Sequence, residues 1–303
     1  MGLCCTGDTC ARLKNTTART TPLLQSFLTQ MISGQKQNNI SALRRKVRAF
    51  YRTHKRDFPW RRTKDPYHIL VSEVMLQQTQ TQRVIPKYIS FLKKFPTLQA
   101  LAQAPLKEVL IVWQGLGYNR RAKMLHKAAQ SIVFEKGGVL PTVYEDLVNL
   151  PGIGEYTAKA IRVFVWDKPE VLIETNVRAV FIHEFFNTKK KVSDKDICVL
   201  VQRTLPRKNF SEWYAGLMDY GSYLKQTYTN PSRKSATHAK QTAFVGSDRE
   251  IRGAIIRVLS KKPLTKRSLT ALPFDKDRIE IQLEKLLKEG LIEKARSTYR
   301  LPS

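Results

Sequence analysis

The chain of 303 residues has the length of about two domains, and its hydrophobic content of 42% is enough to form packed cores. That content excludes a disordered polyelectrolyte. Lysine and arginine number 53 against 25 acidic residues, which gives a net charge of +28, so we expect a polyanionic partner, nucleic acid before an anionic membrane surface.

The cysteines and the apolar runs indicate the compartment. Cys4, Cys5 and Cys10 lie near the N-terminus and Cys198 lies far from them, which is neither a disulfide framework nor a spaced metal set. No run approaches the roughly 18 to 20 apolar residues that span a bilayer, and the N-terminus lacks the apolar core of a signal peptide. We therefore expect a soluble chain in a reducing compartment.

Residues 1–37 are rich in Thr, Ser, Asn and Gln and show little periodicity, which predicts a disordered tail. The tail begins with MGLCCT, which fits an N-myristoylation pattern. So short a pattern arises easily by chance, and we expect no membrane attachment.

Residues 38–224 predict an all-α body. Short amphipathic stretches alternate with Pro and Gly turn signals, and the alternation typical of strands is absent. Residues 225–246 are polar, basic and poor in large aliphatic side chains, which predicts a linker or a loop that lies over the surface.

Residues 247–303 predict a small α+β domain. Ser247 and Glu250 have the spacing of a capping box and are expected to begin a helix that ends near Ser260. A short helix over 264–272, a third helix that stops at Gly290 and a terminal hairpin complete a winged-helix pattern. Such a unit contacts DNA or serves as a protein-docking module with a solvated basic face.

Five short segments in a fixed order are the most specific feature of the sequence. They are FPWR at 58–61, SEVMLQQTQ at 72–80, GLGY at 115–118, LPGIGEYTA at 150–158 and IETNVRAV at 173–180. In LPGIG, Gly152 and Gly154 allow the backbone to approach a phosphate, and the N–H groups of the next helix face the anion. Such a turn positions DNA and does not read bases.

With these segments in this order, the sequence resembles the helix-hairpin-helix DNA glycosylase superfamily over about residues 40–224, and the MutY adenine glycosylases more closely than endonuclease III. The resemblance implies removal of a base that has flipped out of duplex DNA into a cleft. It also implies a monomeric enzyme that acts on double-stranded DNA with a mismatched or damaged base pair, in the cytoplasm and nucleoid or in a nucleus.

Two carboxyl groups match the family's catalytic positions. Glu73 matches the general acid, and its neighbours Leu70, Val71, Val74 and Met75 form an apolar setting that favours the protonated form near neutral pH. Without the motif, an exposed helical glutamate would be the ordinary interpretation. Glu174 occupies the position where the family carries an aspartate that faces the cationic sugar. The extra methylene shifts the charge by roughly 1 Å, so a vestigial site is the alternative.

Tyr156 matches the position where bifunctional relatives carry the Schiff-base lysine, so the resemblance implies base removal without strand cleavage. Asn176 is expected to orient a water molecule or Glu174, or else to be a simple helix N-cap before Val177. Lys159 is interpreted as a solvated lysine that faces DNA.

The resemblance assigns three residues to a wedge that enters the base stack, namely Gln77, Gln78 and Tyr118. Arg61 and Asp219 match positions of the adenine pocket, although both are also ordinary structural residues. The remaining DNA contacts are expected from the helix-hairpin-helix motif, at Leu150, Gly152, Gly154, Thr157 and Lys159.

Two features depart from the family. The family's iron–sulfur loop follows the MDYG-like helix, and residues 225–241 contain no cysteine, so we expect neither a cluster nor any other cofactor or metal. Basic residues of this segment could still contact the DNA backbone, or the segment is a flexible solvated loop. The family's C-terminal domain that reads 8-oxoguanine is replaced by the smaller winged-helix-like unit.

The sequence therefore predicts a monofunctional, cluster-free glycosylase that removes adenine opposite guanine or 8-oxoguanine. A thymine or uracil mismatch glycosylase is the first alternative. A non-catalytic DNA-binding protein of the same fold is the second.

Overall fold

The computed structural model describes residues 34–238 and 243–302. They divide into two compact units, each built from two separate stretches of chain. The first unit contains residues 34–57 and 158–238, and the second contains residues 58–157 and 243–302. The C-terminal residues thus cluster with the first half of the predicted all-α body. The domain boundaries at 38, 225 and 247 stay predictions.

The described residues are mostly helical, as the sequence predicts. In chain order the helices are α1 (Gly34–His54), α2 (Pro66–Leu76), α3 (Thr81–Lys94), α4 (Leu98–Gln103), α5 (Leu106–Trp113), α6 (Arg120–Gln130), α7 (Tyr144–Val148), α8 (Glu155–Trp166), α9 (Thr175–Phe185), α10 (Asp194–Thr204), α11 (Phe210–Thr227), α12 (Asp248–Leu259), α13 (Lys266–Thr270) and α14 (Lys276–Lys288). Short 3-10 turns cover Pro59–Arg61 and Pro231–Lys234, and a π-helical turn covers Ser131–Glu135. None of the helices in this part of the chain is long and apolar enough to cross a membrane.

The predicted tail overlaps the first helix. Residues 1–33 lie outside the described residues, whereas residues 34–37 already belong to α1. The predicted tail over residues 1–37 thus overlaps this helix by residues 34–37, and its disorder stays a prediction.

The core of the first unit lies where α11 packs against α1 and α9. Gly216 of α11 allows the close approach of α1, because a Cβ atom there would lie 3.0 Å from Cγ1 of Val47. The buried Tyr214 hydroxyl accepts a hydrogen bond from the Leu172 N–H at 2.9 Å and donates to the Glu170 carbonyl at 2.8 Å. These bonds fix the extended segment that leads into α9.

The first stretch of the second unit surrounds the buried helix α2. Asp65 caps this helix by accepting from the N–H groups of Tyr67 and His68, and Pro66 occupies its first turn. The side chains from Ile69 to Met75 are all buried. A helix buried on every side carries no amphipathic pattern, so its orientation has to come from its neighbours.

The second stretch of this unit contains α12, β1 (Leu264–Thr265), α13, α14, β2 (Glu293–Ala295) and β3 (Thr298–Arg300). The strands form an antiparallel sheet in the order β1-β3-β2, with Tyr299 opposite both Leu264 and Lys294. The stretch contains three helices and a terminal hairpin, as predicted, and its identity as a winged helix stays a prediction. As predicted, α14 is followed by Gly290 at a φ of +62°.

Two local predictions in this stretch are wrong. The capping box does not form, because the Ser247 hydroxyl donates to the Phe244 carbonyl and the Glu250 carboxylate accepts from the Gly246 N–H, both at 2.6 Å. The predicted helix over 264–272 begins later, since β1 comes first and Thr265 then caps α13 by accepting from the Ser268 N–H at 3.2 Å.

Candidate functional site

Glu73 lies on α2 and is 8% exposed. Its neighbours Leu70, Val71, Val74 and Met75 are between 0% and 3% exposed, so the carboxyl group lies in a buried helix segment in which Ser72 is the other polar residue. The interpretation as an exposed helical glutamate is therefore wrong, and the predicted burial is confirmed. The role of Glu73 as a general acid stays a prediction.

Arg121 of α6 fixes the end of the helix that carries Glu73, and sequence reasoning missed it. Its guanidinium Nη atoms donate at 2.6 to 3.3 Å to the carbonyl oxygens of Val74, Met75, Gln77, Leu116 and Gly117 and to the hydroxyl of Thr79. Burial lowers the pKa of Arg121 to about 10. One half-buried cation thus joins the C-terminal end of α2 to the GLGY turn.

The structure places the three predicted wedge residues beside one another. Gln78 and Tyr118 have φ values of +52° and +47°, a left-handed conformation that is unfavourable for residues other than glycine and that often marks functional sites. The Gln77 side-chain amide donates to the Thr157 hydroxyl at 3.2 Å. All three wedge residues line one cavity of about 570 Å³.

The helix-hairpin-helix turn lies at the same cavity. Gly152 has a φ of +75°, and a Cβ atom there would overlap the Met124 side chain, so this position requires glycine. Gly154 has no such restriction, because nothing lies within 4 Å of its Cβ position. Leu150 and Thr157 are buried at 3% exposure. Their side chains are therefore part of the core, and Thr157 acts on Gln77 through its hydroxyl.

Three other predicted residues are half-buried, two in the second unit and one in the first. Arg61 is half-buried, and its guanidinium carbon lies 4.9 Å from the centre of the Phe58 ring. Tyr156 is half-buried in the first turn of α8. Lys159, which belongs to the first unit, is also half-buried, so the expected solvated lysine is only partly solvated.

In the first unit, the carboxylate of Glu174 caps α9. Its Oε1 accepts from the N–H groups of Asn176 and Val177, each at 2.8 Å, and its Oε2 accepts from Nδ2 of Asn176 at 3.0 Å. Asn176 thus contacts the Glu174 carboxylate, and the predicted role of Asn176 in orienting a water molecule or Glu174 for catalysis stays a prediction. The alternative that Asn176 is the N-cap is wrong, because Glu174 has that position.

The helix α11 supports this turn from one side. A Cβ atom on Gly221 would overlap the carbonyl group of Asn176, so only glycine allows this approach. Lys225 lies one turn further along the same face of α11. Its burial lowers the pKa of its ammonium group, and the negative charge of Glu174 raises it again. The opposite charges of Lys225 and Glu174 therefore attract each other.

Asp219 of α11 is bound to Arg56. Its Oδ1 accepts from Arg56 Nε at 2.6 Å, and its Oδ2 accepts from the Arg56 backbone N–H at 3.0 Å. The Asp219 side chain is 1% exposed. These contacts favour the structural interpretation of Asp219, and its role in an adenine pocket stays a prediction.

The segment after α11 contains no ligand set for an iron–sulfur cluster. Residues 225–241 lack cysteine, and in the described part of the chain no three His, Cys, Asp or Glu side chains group as metal ligands. The described part of the segment, residues 225–238, makes backbone bonds to Val192, from the Val192 N–H to the Lys234 carbonyl at 2.8 Å and from the Ala236 N–H to the Val192 carbonyl at 2.7 Å. Pro231 and Ser232 are buried, so this loop is anchored.

The structure thus groups the predicted residues in two sets. The second unit contains Glu73, Gln77, Gln78, Tyr118, Leu150, Gly152, Gly154, Tyr156, Thr157 and Arg61, and the first contains Glu174, Asn176, Lys159 and Asp219. The cavity of the second unit also has lining residues that the sequence did not predict as site residues, namely Arg120, Arg121, Arg249, Arg252 and Glu289.

The chain is similar to known DNA repair proteins. A family model described as HhH-GPD superfamily base excision DNA repair protein matches residues 71–272. An adenine DNA glycosylase of Mycolicibacterium smegmatis is 33% identical over 268 residues, which cover 81% of this chain and 90% of that protein. An adenine DNA glycosylase of Rattus norvegicus is 43% identical over 148 residues, which cover 46% of this chain and 29% of that protein.

Two solved structures share the fold. A thermostable thymine-DNA glycosylase superposes with a TM-score of 0.55 and 26% identity, over 62% of this chain and 88% of that one. Endonuclease III in a non-covalent complex with DNA superposes with a TM-score of 0.53 and 16% identity, over 64% of this chain and 97% of that one, which is a likeness of fold. The predicted fold class and the resemblance are confirmed.

Proposed function

This chain belongs to the HhH-GPD superfamily of base excision DNA repair proteins, and we propose on that premise that it is a monofunctional DNA glycosylase that removes adenine from a mispair with guanine or 8-oxoguanine. The observation that carries the proposal is the buried carboxyl group of Glu73, on a helix that leads directly into the wedge. The similarity to adenine DNA glycosylases over most of the chain supports adenine as the base.

Glu73 has the role of general acid. Its proton moves to a ring nitrogen of the flipped adenine, so the electrons of the breaking C1′–N bond leave with a neutral base. The sugar then carries positive charge, and a water molecule attacks C1′ to form the hydroxyl of an abasic site, while its proton goes to the carboxylate that Glu73 became in the first step. Proton transfer of this kind contributes about 10² to 10⁴ in rate.

Glu174 has the role of the fixed anion that stabilises the sugar cation. Three hydrogen bonds from Asn176 and Val177 orient its carboxylate. At about 4 Å and an effective dielectric constant near 20, such an attraction amounts to about 4 kcal/mol. Tyr156 offers no amine for a Schiff base, so the DNA strand stays intact after base removal.

Double-stranded DNA is the substrate, and the protein acts on it as a monomer. The net charge of +28 attracts the phosphate backbone, and the Gly152 turn offers backbone N–H groups to a phosphate. No iron–sulfur cluster is required in this proposal, since the segment that carries its cysteines in the family has none, and Lys234 and Ala236 of that segment bond to the backbone of Val192.

A second candidate is excision of thymine or uracil opposite guanine. It is favoured by the 26% identity to a thymine-DNA glycosylase of the same fold. The two candidates share the fold and differ in the base that is released, so one set of duplexes separates them.

The test is base release under single turnover from duplexes with A·8-oxoguanine, A·G, T·G and U·G pairs, followed by alkaline cleavage of abasic sites. We expect product from the two adenine pairs and strand scission only after alkali. Glu73→Gln should lower the rate by about 10² to 10⁴ without weakening DNA binding. The matched control is Glu145→Gln, because Glu145 is an exposed carboxylate of the same unit. Tight binding without release of any base would contradict catalysis and favour a DNA-binding protein.

A further inference from the structure

The C-terminal stretch 243–302 contributes directly to the cavity that the wedge residues line. Tyr118 and Gln78 lie on one side, and Arg249, Arg252 and Glu289 come from α12 and the end of α14. We call this cavity the partner pocket. Its volume of about 570 Å³ is within the range of small-molecule sites and can accept a nucleobase.

We propose that the partner pocket binds the base opposite the excised adenine, and that Arg249 reads that base as a purine with an oxygen at C6. The inference rests on the proposed function for the identity of the excised base. A wedge that fills the place of a flipped base contacts the nucleotide that stays behind on the other strand. A cavity lined by that wedge is therefore placed to accept the remaining base.

Arg249 is attached to the wedge itself. Its Nη1 donates to the Tyr118 hydroxyl at 3.1 Å, and its guanidinium carbon lies 5.6 Å from the centre of the Tyr118 ring. Its Nη2 donates to the Ala243 carbonyl at 3.3 Å. Tyr118 has a φ of +47°, a backbone conformation that persists only where the surrounding structure holds it. The guanidinium is consequently oriented before DNA binds.

Specific hydrogen bonds hold the C-terminal stretch beside the wedge. The Lys123 ammonium group of α6 donates to the carbonyl oxygens of Glu289 at 2.6 Å and Gly290 at 3.0 Å. The Glu289 carboxylate accepts from Arg252 Nη2 at 2.6 Å, and the Lys107 N–H donates to the Pro302 carbonyl at 3.1 Å. These contacts fix the position of α12 and of Arg249 relative to Tyr118.

The chemistry of the partner pocket fits a guanine-type base. Val74, Met124 and Leu125 line it with apolar atoms that suit the face of a base, while Arg249 brings a planar fork of N–H donors. An arginine fork binds the acceptor edge of guanine in a bidentate manner, whereas cytosine presents an amino donor there. A phosphate would bind the same fork without regard to the base, and this is the outcome from which the experiment must distinguish the proposal.

The experiment measures binding, so that it does not depend on turnover. Glu73→Gln protein is titrated with labelled duplexes that carry adenine opposite guanine, 8-oxoguanine, cytosine or an abasic analogue. We expect tighter binding with the two C6-oxygen purines. Arg249→Met should reduce that preference over cytosine about 10-fold, and Arg249→Lys, which keeps the charge and loses the fork, should reduce it similarly. Arg257→Met is the matched control, because Arg257 is exposed on the same helix.

Each result decides between recognition of the base and a contact with phosphate. A selective loss of the preference for C6-oxygen partners in both Arg249 variants, with unchanged thermal unfolding, supports the proposal. An equal loss of affinity for all four duplexes shows a phosphate contact and overturns it, as does a Glu73→Gln protein that binds all partners equally. Failure of the otherwise unsubstituted protein to release adenine would count against the proposed function alone, because binding selectivity is measured independently of release.

Discussion

Gly221 lies directly against the backbone of Asn176, and a Cβ atom at residue 221 would overlap the Asn176 carbonyl group. The contact joins α11 to the turn that orients the Glu174 carboxylate. Backbone cannot move aside as the end of a flexible side chain can. We expect Gly221→Ala to lower the free energy of unfolding by about 1 to 3 kcal/mol or more, as for other overpacked cores.

The same substitution should also lower turnover, since displacement of Asn176 moves Glu174. Urea unfolding and single-turnover base release on one preparation measure the two effects. Gly253→Ala is the control, because Gly253 lies within α12 with nothing within 4 Å of its Cβ position. There alanine should be neutral or stabilising by up to about 1 kcal/mol. Equal stability of the Gly221 and Gly253 variants would contradict the close contact.

Arg121 should be needed for stability as much as for activity. Arg121→Met would remove the donors for five carbonyl oxygens and one hydroxyl. Leaving such groups buried and unsatisfied costs about 1 to 3 kcal/mol for each that water cannot reach. We expect a loss of at least about 3 kcal/mol in urea unfolding, with little recovery in Arg121→Lys, since an ammonium group has only three donors and no fork.

The neighbouring arginine is the natural comparison. Arg120 is exposed, so Arg120→Met should change stability by no more than about 0.5 kcal/mol. If the Arg121 and Arg120 variants unfold at the same urea concentration, the guanidinium of Arg121 does not stabilise the end of α2.

The contrast between Glu73 and Arg121 shows what the sequence could predict. Burial of Glu73 followed from the apolar residues beside it on the same helix, a relationship within one turn. The role of Arg121 depends on carbonyl groups up to 47 residues away in the chain, and no local pattern encodes such a distance. An arginine four residues after the last glycine of GLGY was the available signal, and it is too common to interpret alone.

The C-terminal stretch likewise has local features that the sequence predicts and a long-range contact that it does not predict. Its helices and hairpin were predictable because apolar spacing and Gly290 are local features. Arg249 could not be assigned to the wedge, since its contact with Tyr118 spans 131 residues. The capping box failed for a local reason: the Glu250 carboxylate accepts from the Gly246 N–H, and the Ser247 N–H donates to the Phe244 carbonyl at 3.1 Å.

The charge of Glu174 should matter more for catalysis than for folding. Glu174→Gln keeps a carbonyl oxygen that can cap α9, so the loss of stability should stay near about 1 kcal/mol. The rate of base release should fall by as much as about 10³-fold, the equivalent of about 4 kcal/mol of attraction to the sugar cation. Glu174→Asp keeps the charge and moves it by roughly 1 Å, so its rate should lie between those of the Gln variant and the unsubstituted protein. A Gln variant at full rate would show that the site is vestigial.

His126 should make stability sensitive to acid. Its Nε2 donates to the Ala104 carbonyl at 2.8 Å. Nε2 therefore carries a proton in the neutral ring as well as in the charged ring. Burial lowers the pKa of His126 from 6.5, and the bond to Ala104 opposes the shift in part. Below pH 6.5 the unfolded chain therefore binds a proton that the folded protein does not yet bind. The contribution of His126 to stability is present above that pH and is lost as pH falls through the lower, folded pKa.

Urea unfolding at pH 7.5 and at pH 5.0 tests this sign. Each unit of pKa difference between the folded and unfolded chain corresponds to about 1.4 kcal/mol, so the free energy of unfolding should be lower at pH 5.0. His126→Gln, whose amide can still donate to the Ala104 carbonyl, should show a smaller difference between the two pH values. His238→Gln removes an exposed imidazole and should leave the difference unchanged. A pH dependence that is the same in the His126 variant would mean that the acid sensitivity arises elsewhere, because the glutamine at residue 126 binds no proton between pH 7.5 and pH 5.0.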